Sequence, residues 1–80
     1  MNVIVNDVEI RGYEQKISKE RNTPYLVVYF EDTKSGKANN IICRNVTITN
    51  KLKKGEVCNL LCSLEIGKYT NFQLQDIVGV

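Results

Sequence analysis

Within Thr23–Phe30, TPYLVVYF, the side chains of an extended chain alternate between two faces, Leu26, Val28 and Phe30 on one and Tyr25, Val27 and Tyr29 on the other. If the first face enters a core, the second turns two phenol rings outward. Cations stand nearby in the sequence: Lys16, Lys19 and Arg21 precede the stretch and Arg44 follows it, while Lys68 and Tyr69 repeat the pairing of cation and ring farther on. Aromatic rings stack on unpaired bases of any identity, and lysine and arginine neutralise phosphates, so this combination suits a single-stranded nucleic acid. Plainer explanations stand beside it. Tyrosine is a common strand residue, and an outward ring also packs well against a neighbouring chain or, for Tyr69, back over the end of its own fold.

Catalytic chemistry finds no comparable constellation. The chain has no histidine, no glycine-rich phosphate loop and no GxSxG motif. Glu31 and Asp32 are adjacent carboxylates, but neighbours in a strand point to opposite faces, and a turn explains both better. The expectation is a non-enzymatic protein without cofactor, small-molecule substrate or metal. Cys43, Cys58 and Cys62 are odd in number and form no CxxC pair. Four strand residues separate Cys58 from Cys62 by roughly 13 Å, beyond disulfide reach. All three read as small apolar residues in a reducing compartment.

Eighty residues, 42% hydrophobic and 25% charged, have room for one domain spanning residues 1–80 and for one core. A chain so short buries only about 60% of the surface its unfolded state exposes, so dimerisation would add useful stability. Eleven Lys and Arg against nine Asp and Glu give a net charge of +2, too little to decide a partner; the grouping of cations says more than the total. Solvated surfaces also produce such groups. No apolar run approaches the ~20 residues of a membrane span, and the N-terminus lacks the pattern of a signal peptide, so the expected location is cytoplasmic with no membrane partner. Asn45-Val46-Thr47 matches a glycosylation acceptor, which has no consequence without a secretory route.

The elements that must position these residues are strands. Val3, Val5, Val8 and Ile10 open a long first strand that continues past Gly12 to Tyr13 and Ile17; its alternation slips at Asn6-Asp7, as a strand does when it bends to pair in two sheet regions. Ser18–Thr23 is a polar loop. Pro24 opens a second strand running to about Glu31, and DTKSGK, 32–37, has the composition of a hairpin turn. A third strand, Ala38–Arg44, sets Ile41 and Cys43 against Asn40, Ile42 and Arg44. In Asn45–Lys54 the β-branched run Val46–Thr49 opposes helix while Asn45 and the lysines suit its two ends, leaving at most a short helical turn. From Gly55 a fourth strand puts Cys58, Leu60, Cys62, Leu64 and Ile66 on one face, and after 67–71 a last strand turns Phe72 and Leu74 inward. Five strands with any helix between the third and fourth is the order of an all-β, Greek-key OB-fold barrel; an SH3-like barrel is the rival. An OB barrel commonly binds across its second and third strands and the loops joining strands one to two and four to five. Here that surface collects Tyr25, Val27, Tyr29, Asn40, Ile42 and Arg44, flanked by Lys16, Lys19 and Arg21 on one loop and Lys68 and Tyr69 on the other.

On TPYLVVYF after a basic polar loop, and on GEVCNLLCSLEIGKYTNFQLQDIVGV with its glycine placement and turn aromatic, the chain resembles the filamentous-phage single-stranded DNA-binding proteins over about two thirds of its length. The resemblance implies a small OB-fold homodimer that coats replicating strands, with Tyr25 and Val27 on the DNA-binding hairpin, Lys16, Lys19 and Arg21 on phosphates, and Tyr69, flanked by Lys68, stacking on bases held by the partner subunit. Asp76 departs from the pattern, standing where the family has a DNA-contacting arginine. The function expected is therefore sequence-independent binding of single-stranded DNA in phage, plasmid or conjugative-element replication. RNA binding shares the same chemistry. In the alternative, an OB-fold protein-interaction module, Tyr25, Val27, Tyr29 and Ile42 meet another protein and the lysines serve solubility.

Overall fold

A computed structural model describes residues 1–79. The five strands are β1 (Asn2–Ile17), β2 (Pro24–Asp32), β3 (Ala38–Cys43), β4 (Val57–Ile66) and β5 (Thr70–Val78), with one 3-10 helix, Val46–Lys51, between β3 and β4. They close into a barrel in the order β1-β2-β3-β5-β4, compatible with an OB-fold. Every pairing is antiparallel except β3 with β5.

β1 bends because its backbone is interrupted twice. Asp7, at φ 55°, occupies the left-handed region that an Asp side chain tolerates, and Gly12, at φ 146°, lies where a side chain would strain the chain. The pairing register shifts at both places, between Val5 and Val8 against β4 and between Ile10 and Gly12 against β2. One strand thereby serves two regions of the barrel, as the sequence slip predicts. The Asp7 bulge is fastened from both sides: Asn59 Oδ1 accepts from its N–H at 3.0 Å, and its carbonyl accepts from the Thr33 N–H and hydroxyl at 3.1 and 2.8 Å.

The core is apolar throughout. Val8, Ile10, Leu26, Val28, Phe30, Ile41, Cys43, Cys58, Leu60, Cys62 and Leu74 fill the barrel, while Ile48 and Leu52 from the helical segment close one end. The three cysteines are free and buried, and burial pushes their thiols up, so they stay neutral packing residues. Asn45 caps the 3-10 helix, its side-chain oxygen accepting from the Thr47 N–H at 3.1 Å, and Lys51 stands in its last turn. The result is a short 3-10 helix of six residues, about two turns, with Ile48 as its buried anchor.

Two expectations need correction at the ends of strands. Gly55 lies in a turn at φ 88°, donating its N–H to Ile10 O, so β4 begins at Val57. Ile66 and Phe72 lie on the inward-facing side but are not enclosed, Ile66 because the β4–β5 hairpin projects past the barrel end and Phe72 because β3 does not pair with β5 beside it; Ile66 is 71% exposed and Phe72 38%. Alternation tells which face a residue shares and is silent on where the core stops. Tyr13 and Ile17, on the projecting β1–β2 hairpin, are exposed for the same reason.

The turn at 32–37 carries a pH-sensitive contact. Asp32 accepts from the Lys34 N–H at 3.0 Å and the Ser35 hydroxyl at 2.9 Å, which hold its carboxyl below the ordinary value of 3.8. A carboxyl with a lower pKa folded than unfolded stabilises fully above the unfolded value, and the contribution disappears as pH falls through the folded one. Asp32→Asn should therefore lower the melting temperature at neutral pH, and the deficit relative to the parent should shrink as pH falls through the folded-state value, below 3.8. A deficit of constant size across that range in thermal melts would contradict the assignment.

Candidate nucleic-acid interface

Cross-strand register arranges the outward side chains of β1, β2 and β3 in rows. Lys16 stands opposite Tyr25, Glu14 opposite Val27 and Gly12 opposite Tyr29; across the next ladder Val27 meets Ile42 and Tyr29 meets Asn40. Ile42 in turn pairs with Gln73, so the face continues onto β5. Tyr25, Val27 and Tyr29 are half-buried among these neighbours rather than sunk in the core.

At one end of this face, where the β1–β2 hairpin turns over, lies a groove of ≈ 500 Å³ whose lining includes Lys16, Lys19, Tyr25, Ile42 and Arg44. Five residues expected to act together from sequence thus meet, Lys16, Lys19 and Tyr25 from the β1–β2 hairpin and Ile42 and Arg44 from β3 and its end; the hairpin loop is closed by Ser18 N–H to Thr23 O at 2.9 Å and Asn22 N–H to Ser18 O at 2.8 Å. Ile17, Ser18 and Glu20 also line the groove and were missed, because a mixed hairpin loop carries no periodic signal. Arg21, on the same loop, is exposed but does not line the groove.

The groove is electropositive. Three cations line it against the single carboxylate of Glu20. Ion pairs among the described residues engage Arg11 with Glu9 and Glu31, and Lys51 with Asp76, leaving Lys16, Lys19, Arg21 and Arg44 uncompensated. Arg11 bridges Glu9 and Glu31, which face each other across the β1–β2 ladder, and the hydrogen bond to Glu9 holds its guanidinium more firmly protonated. Asp76 is likewise engaged: the 2.9 Å bond from Lys51 depresses its carboxyl and ties β5 to the helical segment. Compensated charge lies away from the groove.

Comparison with protein-family models, with curated proteins and with solved structures yields no significant match to this chain. Function therefore rests on the site itself.

Tyr29 differs from Tyr25 in having its hydroxyl tied to Glu14 Oε1 at 3.3 Å, and it lies outside the groove lining. Lys68 and Tyr69 occupy the β4–β5 turn, apart from the groove, with the ammonium 5.9 Å from the ring centroid and the ring 79% exposed. Such exposure removes the alternative in which Tyr69 folds back over the barrel end. The structure thus assembles one cluster of the expected residues and holds a second ring and cation on a separate arm.

Proposed function

We propose that this protein binds single-stranded DNA with little sequence preference, by stacking bases on Tyr25 and Tyr69 and neutralising phosphates with Lys16, Lys19, Arg21, Arg44 and Lys68. The observation that carries the reading is the groove in which a half-buried tyrosine and an exposed isoleucine lie among three cations with no ion-pair partners. A folded polypeptide that leaves cations unpaired beside an aromatic face has a surface matched to a polyanion with accessible π-faces. Val27, Ile42 and Tyr29 extend that face as an apolar track.

The work of such a protein is to coat strands during replication of a phage, plasmid or conjugative element, in the cytoplasm. A homodimer belongs to the proposal. On the outer face of β1, β4 and β5, Ile4 pairs with Leu61, and Ile4, Val57 and Val78 are exposed, an apolar wall that a second copy would cover. Covering it would relieve the limited burial of a short chain.

Titration of the protein with fluorescently labelled oligo-dT across a salt series, beside duplex of equal length, tests the reading. Affinity should fall with salt at a logarithmic slope of about −0.7 per phosphate contacted, and single strands should bind more tightly than duplex. Lys16→Ala and Arg44→Ala should each reduce the slope by about 0.7. Equal retention of duplex and single strand would refute the proposal, and a salt-independent affinity would do the same.

A further inference from the structure

We propose that the seam between β3 and β5 accepts one base of the bound strand, turned out of the row that lies on the tyrosine face, and reads its edge. This inference rests on the single-stranded DNA reading above.

The seam exists because the barrel barely closes there. Among the described residues the β3–β5 ladder consists of Ile42 with Gln73 and Cys43 with Leu74. Ala38–Ile41 pairs with β2 alone, and Thr70–Phe72 pairs with β4 alone, so two backbone edges diverge around a gap. The gap is a groove of ≈ 460 Å³, walled by Phe30, Phe72, Val5 and Ile42 and rimmed by Asn39 and Asn40.

Those linings match a planar heteroaromatic group. Its faces need apolar or aromatic walls, which Phe72 and Ile42 provide, and its edge needs adjacent donors and acceptors, which two carboxamides provide. The side chain of Asn40 makes no hydrogen bond among the described residues, and Asn39 makes one long contact, Nδ2 to Lys37 O at 3.5 Å. Register sets the two amides astride the rim: Asn40 lies opposite Tyr29 on the outer face, and Asn39 opposite Phe30 on the inner face.

Ile42 lines both grooves, so the seam continues the track of Tyr25, Lys16 and Arg44. A strand crossing the unpaired cations reaches the gap across a single residue. That continuity favours a nucleotide over an extended peptide laid along the free edges, for which the neighbouring cations would have no role. The consequence is base discrimination at one position in each binding frame, on a surface otherwise indifferent to sequence.

Fluorescence anisotropy with labelled oligo-dA, oligo-dC and oligo-dT of equal length, at fixed salt, tests this on the intact protein. Affinities of the parent should spread by about tenfold between the best and worst base, the discrimination expected of amide-to-base hydrogen bonds. Asn39→Ala with Asn40→Ala should bind all three within about twofold of one another, near the weakest parental value. Phe72→Ala should weaken all three by roughly tenfold, whereas Tyr25→Ala should weaken all three and keep the spread. Circular dichroism of each variant confirms that it folds. A parent that binds the three equally, or a spread that survives the double asparagine change, overturns the seam assignment while leaving the proposed function standing. Loss of self-association in the double variant with its spread intact also overturns it, marking the seam as a protein contact. Failure of the parent to bind any oligonucleotide defeats the proposed function and this inference with it.

Discussion

Tyr25→Ala is expected to weaken binding of oligo-dT by roughly 5- to 150-fold, the factor equivalent to about 1–3 kcal/mol of base stacking. The size of the effect follows from placement. Tyr25 is in the groove, opposite Lys16 and close to Arg44, so a base stacked on its ring has phosphates within reach of both cations. Removing the ring deletes the stacking platform and leaves the charges untouched, so the slope of affinity against salt should remain that of the parent. Stability should change little, because the ring lies on the outer face and the core residues beneath, Leu26 and Val28, are unaltered. Tyr29→Ala should cost less, since that hydroxyl is held by Glu14 and the ring lies outside the groove. Anisotropy titrations with sizing runs separate the proposals: weakened oligonucleotide binding with an unchanged oligomer supports the nucleic-acid reading, while unchanged affinity with a lost oligomer supports the protein-interaction module.

Strand identity was legible from residue types because each strand has one face that must be buried, and period-two alternation records it. TPYLVVYF shows this most fully, with Leu26, Val28 and Phe30 buried and Tyr25, Val27 and Tyr29, which alternate with them, half-buried on the outer face. The bend in β1 was legible too, since only a residue that tolerates positive φ interrupts a strand cheaply, and Asp7 and Gly12 stand at the interruptions. Where the core ends was not legible. Ile66 and Phe72 continue the inward pattern of β4 and β5, yet Ile66 lies on the projecting hairpin and Phe72 at the seam where β3 no longer pairs with β5, so both stay exposed. For the site, the groove cations could be grouped from sequence because Lys16, Lys19 and Tyr25 belong to one hairpin. The β3–β5 seam could not be found that way. It depends on how few residues of two distant strands pair, and Asn39, Asn40 and Phe72 carry no spacing that announces their meeting.

Leu60→Ala should remove a large share of the stability of the barrel, and its consequences join the core to the binding face. Leu60 is fully buried in β4, between Val5 of β1 and Ile77 of β5, so shortening it opens a cavity at the junction of three strands. Such a truncation costs about 2–5 kcal/mol. A chain of 80 residues has about 4–12 kcal/mol in total, so the loss is a large part of that margin and exhausts it at the lower end. In urea the midpoint should fall by about 2 M or more, taking a slope near 1 kcal/mol per molar for a domain of this size. The side chain points into the core and away from Tyr25, Lys16 and Arg44, so the folded variant should keep the parental affinity for oligo-dT. Ligand that binds only the folded form at a hundredfold its dissociation constant adds about 2.7 kcal/mol, enough to offset a cavity cost at the lower end of the range. Saturating oligo-dT should accordingly raise the urea midpoint of parent and variant by the same increment in free energy. A parent whose midpoint does not move in oligo-dT fails to bind single strands in its native state, whereas a shift confined to the parent would mean that loss of Leu60 deforms the tyrosine face as well as the core.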